Sequence, residues 1–132
     1  MADLDSKQQD FLENPFVGVV TTLRDDGSPH STVVWVDREN GGVSFNTTRG
    51  RAKERHLSRD PRVSLLVVDP QNPYRWLSVS GSAELTEDGA DDQIDKLAKK
   101  YIGQDKYPWR SADETRVTVR IRPEKVEATG LE

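Results

Sequence analysis

The chain lacks cysteine, has only two histidines, and contains few aromatic residues, 7% of the total. Without a thiol the protein has no disulfide bond, no thiolate nucleophile and no cysteine-ligated metal. The two histidines, His30 and His56, are far apart in the sequence and do not have the spacing of a metal-binding motif. We therefore expect no metal site.

Long hydrophobic runs and an excess of positive charge are also missing. The longest apolar runs, FVGVV, VVWV and VSLLVV, are too short to cross a bilayer, and no signal peptide opens the chain. The formal net charge of −4 argues against general binding to nucleic acids or anionic membranes. We expect a soluble, cytoplasmic protein whose 132 residues form one domain, 1–132, with 131–132 as a candidate cloning scar.

The sequence is mostly typical of antiparallel β-structure, with β-branched runs separated by turn residues. Asp26-Gly27 and Asn40-Gly41 supply the positive φ that tight hairpins need, so the first three strands should form a meander. Strands are predicted at 16–24, 30–37, 43–46, 63–69, 76–86, 115–122 and 125–128, and helices at 6–14, 49–58 and 87–101. The predicted fold is mainly β (α+β), a small closed or half-closed antiparallel barrel of about six strands with flanking helices.

One segment concentrates the positive charge. Residues 49–59 contain five of the 19 basic residues, namely Arg49, Arg51, Lys53, Arg55 and Arg59, and only one acid, Glu54. The predicted helix begins directly after a strand and can be capped by Thr47 or Thr48; a helix N-terminus attracts anions. Because neither GxxxxGK[ST] nor GxGxxG is present, the segment predicts an anion site without a glycine loop. The alternative is a solvated helix face that keeps the protein soluble.

Three segments, GSPHSTVVWVD, SFNTTRGRAKERHLSRDPRVSLLVV and YRWLSVSGSAEL, occur in an order that resembles the pyridoxamine 5′-phosphate oxidase-like split-barrel superfamily. The resemblance covers residues 8–129 and is strongest to the actinobacterial branch that uses the deazaflavin coenzyme F-420. Its most specific part is the TxRGRAK–helix–DPRVSL block. It implies a six-stranded Greek-key split barrel of the FMN-binding type, forming a homodimer with two cofactors in grooves at the subunit interface.

The resemblance also implies which residues contact the cofactor. Lys53 matches the lysine that contacts the cofactor phosphate, with Arg51 and Ala52 beside it. The other implied positions are Asn46 and Thr47 at a strand end, Thr32, Val33 and Val34 along the ring system, and Trp76 and Trp109 as groove walls from either subunit. From their charge, Arg49 and Arg55 are predicted to bind the anionic tail of the cofactor or to remain in solvent.

Two departures from the flavin enzymes bear on the cofactor. Flavin-mononucleotide oxidases of this superfamily carry a phosphate-binding arginine on the second strand and a lysine shortly after it, where this chain has Thr32 and Asp37. Coenzyme F-420 is a long polyanion, which suits a row of cations better than a single phosphate does.

The expected function is hydride transfer from reduced F-420 to a small conjugated or planar substrate, with no catalytic side chain required. The alternatives are an FMN-binding enzyme of the same fold and a non-catalytic F-420 carrier or sensor.

A few conspicuous residues have two interpretations. His30 is either a proton donor to the substrate or an ordinary histidine at a strand start. Trp35 either stacks on a cofactor ring or packs in the core or at a dimer interface. Tyr74, Tyr107 and the two groove tryptophans either line a substrate pocket or pack at a dimer seam.

Overall fold

The computed structural model describes residues 3–131. In chain order its elements are α1 (Ser6–Phe11), β1 (Gly18–Leu23), β2 (Pro29–Val34), β3 (Val36–Glu39), β4 (Gly42–Thr48), α2 (Ala52–Arg59), β5 (Arg62–Asp69), β6 (Asn72–Thr86), α3 (Ala90–Ile102) and β7 (Arg116–Thr129). The strands form one antiparallel sheet in the order β2-β1-β5-β6-β7-β4-β3. None of the helices in this described range is both long enough and apolar enough to span a membrane.

The two edges of the sheet are joined through a single residue. Strands β2 and β3 lie at opposite ends of the strand order, yet only Trp35 separates them in the chain. The sheet must therefore curl until its edges meet, which produces a half-barrel. This arrangement corrects two predictions: residues 30–37 form two strands with different partners, and the first three strands do not form a meander. The split adds one strand to the seven predicted segments, and the merging of the last two segments, described below, removes one. Residues 3–131 therefore contain seven strands, where a barrel of about six was expected.

The barrel core follows from the alternation of apolar residues along the strands. Inward-facing side chains that are almost fully buried include Val20, Phe45, Leu65, Leu77, Val79, Val117 and Val119. Helix α3 contributes the apolar face that its spacing predicts, with Ile94, Leu97 and Ala98 buried. Helix α1 adds Phe11 and the following Leu12 to the core.

Helix α2 starts later than predicted, and this decides where its basic residues lie. Its N-cap is Arg51, in an extended conformation, and no side chain caps the helix. Thr47 and Thr48 belong to β4, and Gly50 makes the connecting turn with a φ of +92°. Because the chain must reverse direction sharply here, the helix begins only at Ala52. The predicted start at residue 49 and the threonine cap are therefore wrong.

The last predicted strands are also different in the structure. Residues 115–122 and 125–128 do not form two strands, because β7 is continuous from Arg116 to Thr129. Its register against β6 shifts between Ser80 and Gly81, where Glu124 is an extra residue in β7. Such a bulge bends a strand without ending it. Pro123, which pairs with Gly81, is accommodated at this bend.

Candidate functional site

A cavity of about 190 Å³ lies between the barrel edge, the start of α2, helix α3 and the loop before β7. Its lining residues are Val33, Val34, Trp35, Asn46, Arg51, Lys53, Ile94, Leu97, Tyr107, Trp109 and Arg116. Three of these side chains are cations, three are aromatic, and none is a carboxylate or a histidine. The cavity therefore combines positive charge with flat apolar surfaces.

Two of the three cations have no counterion. Within residues 3–131, neither Arg51 nor Lys53 forms a salt bridge. Lys53 is half-buried, and its pKa is lowered by burial first and by the neighbouring Arg51 second. Keeping two cations together at a partly buried position costs free energy unless an anion compensates them. Arg51 at the N-cap and Lys53 in the first turn of α2 both lie at the positive end of the helix dipole, which adds to their attraction for an anion.

The third cation, Arg116, has a carboxylate partner in Glu114. Its side chain is almost completely buried, with its Nε donating to Glu114 Oε2 at 3.1 Å and its Nη1 to Asn46 Oδ1 at 3.3 Å. The guanidinium also lies 4.6 Å from the centre of the Tyr107 ring, within cation–π range. Arg116 therefore serves to fix its neighbours in place and leaves the unpaired charge to Arg51 and Lys53.

A row of aromatic rings forms the opposite wall. Trp35 stacks on Tyr101 with ring centres 5.4 Å apart and an interplanar angle of 8°, and its edge meets Tyr107 at 6.0 Å. Tyr107 in turn contacts Trp109, whose side chain is 63% exposed. The row continues from the barrel edge to the surface, so it offers flat surfaces next to the unpaired cations.

Tyr101 holds this row against the barrel. Its hydroxyl donates to the carbonyl of Phe16 at 2.8 Å and accepts from the backbone N–H of Val36 at 2.9 Å. Burial raises the pKa of the Tyr101 hydroxyl to about 12. The hydroxyl therefore stays protonated at neutral pH and keeps both bonds, which fixes the ring on which Trp35 stacks.

The predicted site residues divide into those that line this cavity and those that do not. Six of them line it: Val33, Val34, Asn46, Arg51, Lys53 and Trp109. Asn46 also has a packing role, because its Nδ2 donates to Ala90 O at 2.8 Å and to Gln93 Oε1 at 3.0 Å, joining β4 to α3. Thr32 and Thr47 are next to lining positions, and each has a buried hydroxyl without a hydrogen-bond partner among the described residues.

The remaining four predicted residues do not line the cavity. Arg49 turns away and pairs with Glu87 at 3.1 Å, because the later start of α2 leaves it on the preceding turn. Ala52 and Arg55 face a second pocket on the other side of the helix. Trp76 lies on β6 opposite Thr129, so a role for it in the groove requires a second subunit.

Sequence reasoning missed three lining residues. Ile94 and Leu97 belong to the predicted apolar face of α3, but only the fold shows that part of this face borders a cavity. Arg116 lies in the regular TRVTVRIR alternation, where an arginine is typical of a solvated strand face. Its burial depends on Glu114 and Tyr107, and no sequence pattern connects it to Tyr107.

The cavity contains groups that bind rather than groups that react. Tyr107 carries its only hydroxyl, and no histidine, serine or carboxylate lines it. Across residues 3–131, the histidine, aspartate and glutamate side chains form no group of three or more that could hold a metal ion. Any redox chemistry at this site therefore depends on a bound cofactor.

The sequence and the fold are both similar to those of known proteins. A family model described as pyridoxamine 5′-phosphate oxidase matches residues 4–130. The structure is similar to that of an F-420 reductase, with 32% sequence identity, a TM-score of 0.80, and coverage of 94% of this chain and 98% of the other. A conserved hypothetical protein from Mycobacterium tuberculosis shares the fold, with 24% identity, a TM-score of 0.76, and coverage of 98% and 86%. The chain belongs to the pyridoxamine 5′-phosphate oxidase family.

Proposed function

We propose that the protein is an oxidoreductase that transfers a hydride from reduced coenzyme F-420 to a small planar or conjugated organic substrate. The observation that carries this proposal is the pair of cations, Arg51 and Lys53, left without counterions beside a row of aromatic rings. A ring-bearing anion can contact both parts of this cavity, with its charge at the cations and its ring against the aromatic side chains. The 32% identity to a protein named as an F-420 reductase supports the same choice.

The residues present fit such a cofactor. Lys53 and Arg51 would hold the phosphate through charge-assisted hydrogen bonds, the strongest type available to these side chains. Trp35 and Trp109 offer flat surfaces for a ring system, and Tyr101 fixes the first of these two. A bound deazaflavin would supply the hydride, and the chain would bind and orient the reacting partners and shield them from water.

The position of Asp37, on β3, favours F-420 over flavin mononucleotide. Asp37, at the position where the flavin oxidases carry a lysine, is buried and pairs with Lys96 Nζ at 2.9 Å. It also accepts from Gln93 Nε2 at 3.2 Å, which ties it to α3. Asp37 therefore belongs to an internal network and adds no cation to the cavity. Flavin mononucleotide and a non-catalytic carrier or sensor of F-420 are the alternatives that the experiments below separate.

We also propose a homodimer with the cofactor at the subunit interface. The outer face of β1, β2 and β5 exposes Val17, Val19, Val33 and Leu66, and Val19 pairs directly with both Val33 and Leu66. A contiguous apolar face of this kind is typical of an interface. Val33 also lines the cavity, so a second copy on this face would reach the cavity edge. Trp76 lies on the same face, two residues from the partner of Leu66.

Equilibrium titration with F-420, flavin mononucleotide and nicotinamide cofactors, followed by fluorescence, tests the choice of cofactor. We expect saturable binding of F-420 and weaker binding of the other two. Oxidation of reduced F-420 in the presence of a panel of planar electrophiles then tests turnover. Tighter binding of flavin mononucleotide would overturn the proposed cofactor, and tight F-420 binding without oxidation by any electrophile would favour a carrier.

A further inference from the structure

A second pocket, of about 690 Å³, lies on the side of helix α2 away from the cofactor cavity. The helix contributes Ala52, Arg55, His56 and Arg59, which recur at the spacing of one helix face. The turn between β1 and β2 closes the pocket with Arg24 and, from the start of β2, His30. The basic segment therefore serves two separate sites, with Arg51 and Lys53 facing the first and Arg55 facing the second.

The second pocket has positive charge that its own acids do not neutralise. Asp25 pairs with Arg59. Asp26 accepts hydrogen bonds from Ser28 N at 3.0 Å and from Ser28 Oγ at 2.6 Å, so it is engaged within its own turn. Neither Arg24 nor Arg55 forms a salt bridge with another residue in the range 3–131. Their hydrogen bonds go to the uncharged oxygens of Pro29, Ser28 and Gly50, so neither guanidinium is bonded to a carboxylate. Three arginines against two aspartates leave the lining of the pocket with a net positive charge.

The two histidines of the chain meet in this pocket. The rings of His30 and His56 are 5.1 Å apart in an edge-to-face arrangement, and His56 Nδ1 shares a hydrogen bond of 2.8 Å with Thr22 Oγ1. His30 Nδ1 is buried and has no partner among the described residues. Burial, then His30 and the arginines at 59, 55 and 24, lower the pKa of His56. These surroundings repel cations, including metal ions, and would be relieved by an anion.

We propose that this pocket is an oxyanion site, in which Arg24, Arg55 and His30 bind a phosphate or carboxylate group independently of the phosphate held at Lys53. Two sources supply this chemistry. One is a free small oxyanion, and the other is the distal carboxylate tail of a cofactor held in the cavity on the other side of α2. The second source rests on the proposed function, and the first does not.

Because the chain has only two histidines, their imidazole NMR signals report directly on the pocket. We expect inorganic phosphate and γ-linked triglutamate to shift both signals saturably. Arg55→Gln should weaken phosphate binding at least about tenfold, through loss of a charge-assisted hydrogen bond. Arg24→Gln should have a similar effect, so the test does not depend on one variant folding. Arg62→Gln, an exposed arginine paired with Asp60, is the matched control and should leave the affinity unchanged.

Lys53→Gln separates this site from the cofactor cavity, because it should leave the phosphate titration of the histidines unchanged. Loss of the histidine shifts in Lys53→Gln, or no saturable shift with either probe in the wild type, would overturn the proposal.

Titration with F-420 carrying full-length or shortened tails then identifies the source of the bound oxyanion. If Arg55→Gln weakens only the long-tailed form, the tail occupies the pocket; if it weakens neither form, the ligand is a free oxyanion. Failure of F-420 to bind would refute the proposed function and leave the phosphate result intact.

Discussion

At the scale of single residues, the difference between Arg116 and Lys53 supports the proposed binding of an anion in the cavity. Arg116 is buried among a carboxylate, an amide oxygen and an aromatic ring, and these groups stabilise its charge. Lys53 is half-buried beside Arg51 and forms no salt bridge within residues 3–131, which makes its position unfavourable until an anion arrives. A protein keeps such a residue at a cost in stability where binding requires it.

Replacement of Arg116 should therefore affect stability. We expect Arg116→Gln to lower the free energy of unfolding by about 2–3 kcal/mol, because it removes two hydrogen bonds and leaves Glu114 without its partner. Urea unfolding at pH 7 measures the change. The matched control is Arg120→Gln, which breaks an exposed pair with Glu39 and should cost less than about 1 kcal/mol. Equal effects of the two substitutions would contradict this account of Arg116.

Lys100 provides a prediction for pH. Its Nζ donates to the carbonyls of Leu12 and Val36 at 2.6 and 2.7 Å, and burial lowers its pKa from 10.5 to about 8. The neutral amine keeps two hydrogens and so keeps both bonds. Between pH 8 and 10.5 the unfolded chain binds more protons at this lysine than the folded chain does, so the contribution of Lys100 to stability rises with pH.

The comparison with Lys100→Met isolates this effect from other titrating groups. The difference in free energy of unfolding, wild type minus variant, should increase from pH 8 to pH 10 in urea titrations. A difference that stays constant or falls across this range would show that Lys100 is not held with a lowered pKa.

The family resemblance predicts Lys53 as a site residue, because the TxRGRAK block that carries the resemblance is distinctive in residue order. Arg116 could not be found in the same way, since its environment is made by Asn46, seventy positions away, and by Tyr107. A local pattern reports what a residue is next to in the chain, whereas burial of a charge depends on partners from distant segments.

At the scale of secondary-structure elements, turn chemistry was predicted more reliably than strand partners. The glycines at 27 and 41 have the positive φ that their hairpins require. The break at Trp35 was not predicted, because the run HSTVVWVD has an unbroken β pattern. The division of this run into two strands depends on which sheet edges are free for pairing, and the residues of one strand do not indicate this. The late start of α2 has a similar cause, since Gly50 and the end of β4 decide it.

The bulge between β6 and β7 predicts a sharp difference between two glycines. A methyl group at Gly81 would overlap the carbonyl oxygen of Arg122 and approach the amide nitrogen of Glu124, so the backbone would have to move. We expect Gly81→Ala to destabilise the protein by about 3 kcal/mol. Gly27→Ala meets no atom within 4 Å and should cost only about 1 kcal/mol, from its positive φ. Thermal and urea unfolding test both, and equal losses would contradict the steric argument.

At the scale of the whole molecule, the curled sheet places charged groups and an exposed apolar face at the same edge of the barrel. Val19 is 40% exposed at the centre of that face, with Val33 and Leu66 on either side. Val19→Lys should convert the proposed dimer into a folded monomer, because a desolvated charge at an interface centre is costly. Sedimentation velocity measures the mass, and circular dichroism checks the fold. Gln104→Lys, on an exposed loop, is the control. A variant that remains dimeric would place the interface elsewhere.

The central claim is that the uncompensated charge at the start of α2 holds the phosphate of the cofactor. Its most direct test is the dissociation constant for F-420 in Lys53→Gln, measured against Arg62→Gln as a charge-matched control. Loss of one charge-assisted hydrogen bond, worth about 1.5–3 kcal/mol, predicts affinity at least about tenfold weaker in the first variant only. A dissociation constant that is the same in wild type and Lys53→Gln would contradict the claim.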